Sequence, residues 1–185
     1  MFLVSQNLTN YMSFSDKTVI RINLAWVENL VSLEDVINSF NNEIYLDLPL
    51  GRTKPPNNSY SIDDLKKIID KHDNIRYLAI SNVESAEHLI PYINLFGQVL
   101  TIVPKIETKK GIDNISSICS TLINDKFIML DHDDLFSDLI RLKIPSTEFF
   151  TYIEKLSDYC DSNSVKLLKT RGVIFSDEDE YKYGK

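Results

Sequence analysis

The sequence predicts an α/β fold, a parallel sheet curled into a (βα) barrel and wrapped by helices, shortened to about six or seven strands. Strand-like apolar runs alternate with amphipathic helical stretches at intervals of about 25 residues. The strands are continuous apolar runs rather than strictly alternating ones, as expected where helices and a packed interior cover both faces. The residues counted as hydrophobic make up 43% of the chain, enough for a substantial core.

In order, residues 2–4 could add a short strand and residues 18–25 (TVIRINLA) form the first clear one. A helix follows over 32–40, with Ser32 as N-cap and Asp35 as first-turn acid. Residues 43–48 (EIYLDL) are the next strand, and 49–61 is a turn-rich connection with three prolines. A Ser-x-x-Asp capping box opens a helix over 61–72, with Leu65, Ile68 and Ile69 on one face. The strand 75–81 leads to a helix over 85–96 broken near Pro91. The buried strand 98–106 leads to a helix over 111–122, with Ile112, Ile115, Ile118 and Leu122 inward. A strand over 126–130, a helix over 146–161 carrying Phe149, Ile153 and Leu156 on one stripe, and a strand over 172–176 precede the charged tail 177–185.

A complete eight-stranded TIM barrel takes about 250 residues, whereas this chain has 185. A shortened relative leaves sheet edges exposed. The expectation is closure through an abbreviated final unit or by association with another subunit, so a homo-oligomer or a partner subunit is expected.

Composition excludes several functions. Twenty Lys and Arg against 27 Asp and Glu give a net charge of −7, which disfavours nucleic acid. The five glycines form neither GxGxxG nor GxxxxGK[ST]. Cys119 and Cys160 are read as two small packed thiols, in neither a CxxC motif nor a disulfide framework. The N-terminus lacks the basic and apolar regions of a signal peptide, and no apolar run reaches bilayer length, so a cytoplasmic protein without membrane contact is expected.

Polar residues gather where the strands end, which in parallel α/β folds is where sites lie. In order these are Arg21 and Asn23, Asp47, Ser81 and Asn82, Lys105 and Glu107, and then Asp131, His132, Asp133 and Asp134. Lys105 and Glu107 are two apart on a strand and face the same way. Inside a barrel that direction is the interior, where an unpaired charge is costly. Glu107 and Asp134 suit Mg²⁺ or Mn²⁺, which take hard carboxylate oxygens. Lys105 and Arg21 suit the anionic part of a substrate. His132 is the histidine suited to acid–base work, whereas His72 and His88 read as surface residues. The competing reading makes residues 131–134 a solvated acidic turn capping the next helix. Trp26 is either an apolar wall of the site or a core residue.

The run Val103-Pro104-Lys105-Ile106-Glu107, continuing to Gly111 and Asn114, resembles the KIE-x-x-x-G-x-x-N segment of pyruvate kinases. Ile128 to Leu135 resembles the strand and RGDL turn that follow it in that family. Arg21-Ile22-Asn23 is similar to its R-x-N-F-S-H strand end, Leu46-Asp47 with Gly51 to Lys54 to its D-x-K-G-P-x-I-R loop, and Gly172 to Phe175 to its K-P-V-I strand. Related HpcH/HpaI and citrate lyase beta aldolases share an IET…DL pairing but usually lack the lysine. The resemblance implies one barrel domain over residues 1–185, with no lid and no C-terminal regulatory domain.

It also implies a Mg²⁺ or Mn²⁺ enzyme of the phosphoenolpyruvate/pyruvate superfamily, with metal on Glu107 and Asp134. Lys105 and Arg21 would be catalytic, joined by His132, whose acid–base role is read from its residue type and not from the resemblance. Arg21, Asn23, Asp47 and Asp133 would bind substrate, a pyruvate- or phosphoenolpyruvate-like anion. The chemistry implied is enolate stabilisation for carbon–carbon lyase or aldolase reactions, or for phosphoryl or enolpyruvyl transfer.

There are departures. Ala25 and Trp26 replace the family's Ser and His, His132-Asp133-Asp134 replaces RGD, and Asp177 stands where the catalytic threonine would align. They favour the alternative of a non-catalytic binding or scaffold protein.

Overall fold

The computed structural model describes residues 1–11, 13–52, 55–171 and 174–176. Gly172-Val173, Thr53, Lys54 and the tail 177–185, all invoked above, lie outside the described residues.

Seven strands pair in parallel in chain order: β1 (Phe2–Ser5), β2 (Val19–Asn23), β3 (Ile44–Leu48), β4 (Ile75–Ile80), β5 (Thr101–Ile106), β6 (Phe127–Leu130) and β7 (Lys166–Arg171). An eighth, β8 (Ile174–Ser176), runs antiparallel to both β7 and β1 and closes the barrel. Closure therefore occurs within one chain through an abbreviated last unit. Of the strand anticipated at 172–176, the described residues 174–176 form this short closing strand. β7 was not anticipated at all: its Lys-Leu-Leu-Lys run reads locally as helix-friendly, and pairing with β6 overrides that preference.

The two-residue period separates the apolar side chains into two cores. Leu3, Tyr45, Ala79, Val103, Met129 and Leu168, one each from β1 and β3–β7, fill the barrel interior. Their neighbours one position to either side, among them Leu46, Ile80, Ile102, Ile128 and Leu130, point outward and pack under the helices. Below the interior layer, Tyr77 stacks edge-on against Phe127 at 6.0 Å and near Tyr45 at 6.1 Å, plugging the bottom of the barrel.

The helices are α1 (Leu30–Asn38), α2 (Ile62–Lys71), α3 (Ile90–Phe96), α4 (Lys109–Asp113), α5 (Ile115–Ser120), α6 (His132–Arg141) and α7 (Phe149–Ser162). The capping box on α2 forms between Ser61 and Asp64 as anticipated. α1 starts earlier than anticipated because Asn29, not Ser32, is its cap, accepting the Ser32 N–H at 3.0 Å. Pro91 opens α3 rather than breaking a longer helix, since the preceding turn, Ala86–His88, is 3-10. The helix anticipated over 111–122 divides at Asn114 into α4 and α5, with all four of its inward residues buried. Trp26 is 61% exposed, so it is not a core residue. Cys119 and Cys160 are buried free thiols. Among the described residues no helix is long and apolar enough to cross a membrane.

Leu168 tests the placement of β7. Leu168→Ala removes a fully buried side chain from the interior layer and is expected to cost about 2–5 kcal/mol. Urea denaturation checks this, and an unchanged midpoint would contradict the inward orientation of that strand.

Candidate functional site at the barrel mouth

Two residues along each strand from the apolar layer, the same inward face turns polar. Arg21, Asp47, Ser81, Lys105 and Asp131 follow Val19, Tyr45, Ala79, Val103 and Met129 respectively. The barrel interior thus has an apolar floor and a charged ceiling.

The charges pair in a chain across the mouth. The Arg21 guanidinium donates to Asp47 through Nε at 2.9 Å and through its second contact from Nη2. Lys105 Nζ lies 3.5 Å from the other Asp47 oxygen and 2.8 Å from Glu107 Oε1, and donates to Ser81 Oγ at 3.3 Å. Glu107 Oε2 accepts the Asn82 backbone N–H at 2.6 Å. Asn82 adopts φ 53°, a left-handed conformation that asparagine tolerates, and its side chain donates to the Leu50 carbonyl at 2.5 Å.

Burial and pairing pull these groups in opposite directions. Burial would raise the Asp47 carboxyl, but Lys105 and Arg21 outweigh it and hold it below its ordinary value. Burial would lower Lys105, yet Asp47 and Glu107 push it up to about 12. At Glu107 burial wins over Lys105, and its carboxyl is raised above the ordinary range.

Glu107 is also one of three carboxylates that converge. An oxygen from each of Glu107, Asp131 and Asp134 lies within 4.8 Å of the others. Helix geometry selects them: Asp131 caps α6 by accepting the Asp134 N–H at 3.2 Å, and a three-residue step returns Asp134 to the same face. Oxygen-only donors at this spacing fit a hard divalent cation. Asp131 was seen in the strand-end cluster but not as a ligand, since only the cap geometry aims it inward. The acidic-turn reading is also partly right, because the same residue caps the helix.

A cleft of about 310 Å³ opens over this mouth. Asn23, Asp47, Lys105, Glu107 and Asp134 all line it. Asn23 also caps the turn after β2, accepting the Ala25 N–H at 3.1 Å.

Three of the expected site residues are not on the cleft lining. Arg21 is not on the cleft lining, and its guanidinium donates to Asp47. His132 and Asp133 are rotated off the Asp131–Asp134 face. The His132 ring instead meets Phe149 edge-on at 6.4 Å, and burial lowers its basicity. Asp133 is exposed, and its carbonyl accepts the Ser137 hydroxyl at 2.8 Å. Neither lines the cleft.

Comparison with known proteins supports the fold and stops there. No family model matches the sequence, and no curated protein matches it. The crystal structure of RipC from Yersinia pestis is similar, with a TM-score of 0.60 at 17% identity over 90% of this chain and 73% of that one. Such a likeness carries architecture and not chemistry.

The assignment to pyruvate kinases and the phosphoenolpyruvate/pyruvate superfamily is therefore corrected: no family model or curated protein supports it, and the structural likeness reported is to RipC. The residues behind the resemblance have local reasons to be present. A Cβ on Gly111 would sit 2.7 Å from the Val83 carbonyl, and Asn114 donates to the Glu84 carbonyl at 2.8 Å. What is shown is the fold, a mostly parallel α/β barrel.

The raised Glu107 carboxyl has a stability consequence. A carboxyl whose folded value exceeds its unfolded one favours the fold fully below the unfolded value, and that contribution is lost as pH rises through the folded value. Relative to the wild type, Glu107→Gln is therefore expected to fare better near neutral pH than in acid, as read from thermal midpoints across pH. A variant equally destabilised at every pH would contradict it.

Proposed function

We propose that the protein is a divalent-metal-dependent enzyme acting on a small anionic 2-oxo acid at the mouth of the barrel. The observation that carries this is the convergence of Glu107, Asp131 and Asp134 beside the buried Lys105 cation, under an open cleft. Glu107 and Asp134, joined by Asp131, would hold Mg²⁺ or Mn²⁺. When bound, such an ion supplies Lewis acidity that favours the enolate of a chelated 2-oxo acid.

The chain's own groups have distinct parts. Lys105, pushed up to about 12 between two carboxylates, keeps its proton and offers fixed positive charge to a developing oxyanion rather than serving as a base. Asp47 sets the position of Lys105, and Arg21 sets that of Asp47. The Asn82 N–H fixes one oxygen of Glu107, which limits its rotation. Substrate on a pyruvate scale and lyase or transfer chemistry remain part of this proposal.

Titration calorimetry with Mn²⁺ and oxalate, an enolate mimic, tests the site. Glu107→Gln, Asp131→Asn and Asp134→Asn are each expected to weaken the metal by at least the roughly 10–100-fold typical of losing a supporting partner. Unchanged affinity in all three would place the metal elsewhere. Metal-dependent exchange of the protons adjacent to the carbonyl of pyruvate, followed by NMR, distinguishes an enzyme from a binding protein.

A further inference from the structure

The outer wall of the cleft carries two guanidinium groups that the reading above does not use. Asp134, Ser137, Asp138 and Arg141 share one face of α6 and all line the cleft. At 1.5 Å per residue, Arg141 stands about 10 Å along the helix from Asp134.

Its position is built rather than incidental. Asp138 is 7% exposed, and both of its oxygens are engaged. One accepts the Lys109 N–H from the first turn of α4 at 2.9 Å, and the other takes the Arg141 guanidinium. Asp138 thereby docks α6 on α4 and holds Arg141 at the cleft wall. The Arg141 side chain is still 71% exposed, so its remaining donors are open to a ligand. Arg52 lines the cleft from the connection after β3. Its Nε donates to the Pro56 carbonyl at 2.7 Å, just beyond a turn in which Gly51 adopts φ 69°.

We propose that this wall is an anion subsite, and that the substrate is a 2-oxo acid bearing a second anionic group, carboxylate or phosphate, which Arg141 receives with Arg52 also on the cleft lining. The proposal rests on the metal-site reading and adds the class of substrate to it. The Glu107 end of the cleft takes the chelating head, and the guanidinium end takes the remote anion through charge-assisted hydrogen bonds.

Calorimetry in the presence of Mn²⁺ tests it with oxalate, pyruvate, 2-oxoglutarate, 2-oxoadipate and phosphohydroxypyruvate. The wild-type protein is expected to bind at least one two-anion acid about tenfold or more tighter than pyruvate. Arg141→Gln removes that advantage and leaves oxalate affinity unchanged, and Arg141→Lys restores part of it. Preference for the phosphorylated acid over the dicarboxylates, or the reverse, identifies the anion. No advantage for any two-anion acid overturns the subsite, as does an Arg141→Gln loss shared equally by oxalate. If oxalate shows no Mn²⁺-dependent binding to the wild type, the metal reading and the subsite fall together, whereas oxalate binding with no Arg141 effect overturns the subsite alone.

Discussion

The ion-pair chain from Arg21 through Asp47 and Lys105 to Glu107 is the interaction on which the site depends. Four charges in the interior of a barrel are costly unless each has a partner, and here each does. The pairing joins β2, β3 and β5 across the mouth, so the strands cannot slip without separating buried charges. It also explains why Lys105 is a fixed cation and why burial prevails at Glu107, which ends the chain with one cation beside it. The site's electrostatics follow from this order of partners rather than from any single residue.

Beneath that layer the interior is apolar and packed, closed at the bottom by Tyr77 and Phe127. A rigid floor leaves the C-terminal mouth as the place where a ligand can reach the inward-facing charges. Above it, the start of α6 determines which acids converge. Asp131 caps the helix and Asp134 lies one turn on, so both face Glu107. His132 and Asp133, between them, are turned away by the rotation of about 100° per residue. One helix N-terminus thus separates metal-facing carboxylates from bystanders in a run of four polar residues. The same helix then carries Asp138 and Arg141 along the cleft wall, so its pitch spaces the two ends of the site.

Much of the fold was legible from periodicity. The strands at 18–25, 43–48, 75–81 and 126–130 are present with shifted ends, and the Ser61 capping box forms as its spacing implies. β7 was not legible, because Lys166 to Lys169 has no strand preference of its own and acquires one from β6. Asn29 was overlooked as a cap since Ser32 offered an equally good local pattern. In the site, Lys105 and Glu107 were legible from their two-residue spacing and Asp134 from its strand end. Asp131 was legible only as a member of the strand-end cluster, and Asp138 and Arg141 were not legible, because their roles arise from contacts between α6 and elements distant in sequence. The motif resemblance was the weakest guide: its glycine and asparagine serve close packing around the Val83 turn.

By itself the sequence determined which residues could face inward, since a strand's alternation is a local property of the backbone. It determined the net acidity, the apolar outer faces of the strands and the lack of glycine-rich phosphate loops. Only the tertiary structure decided how 185 residues close a barrel, by turning β8 antiparallel between β7 and β1. It also decided which of the many charges at the strand ends meet. Arg21 went to Asp47 rather than to the cleft, and Asp131 joined Glu107 and Asp134, because pairing depends on distances across the barrel that no local pattern encodes.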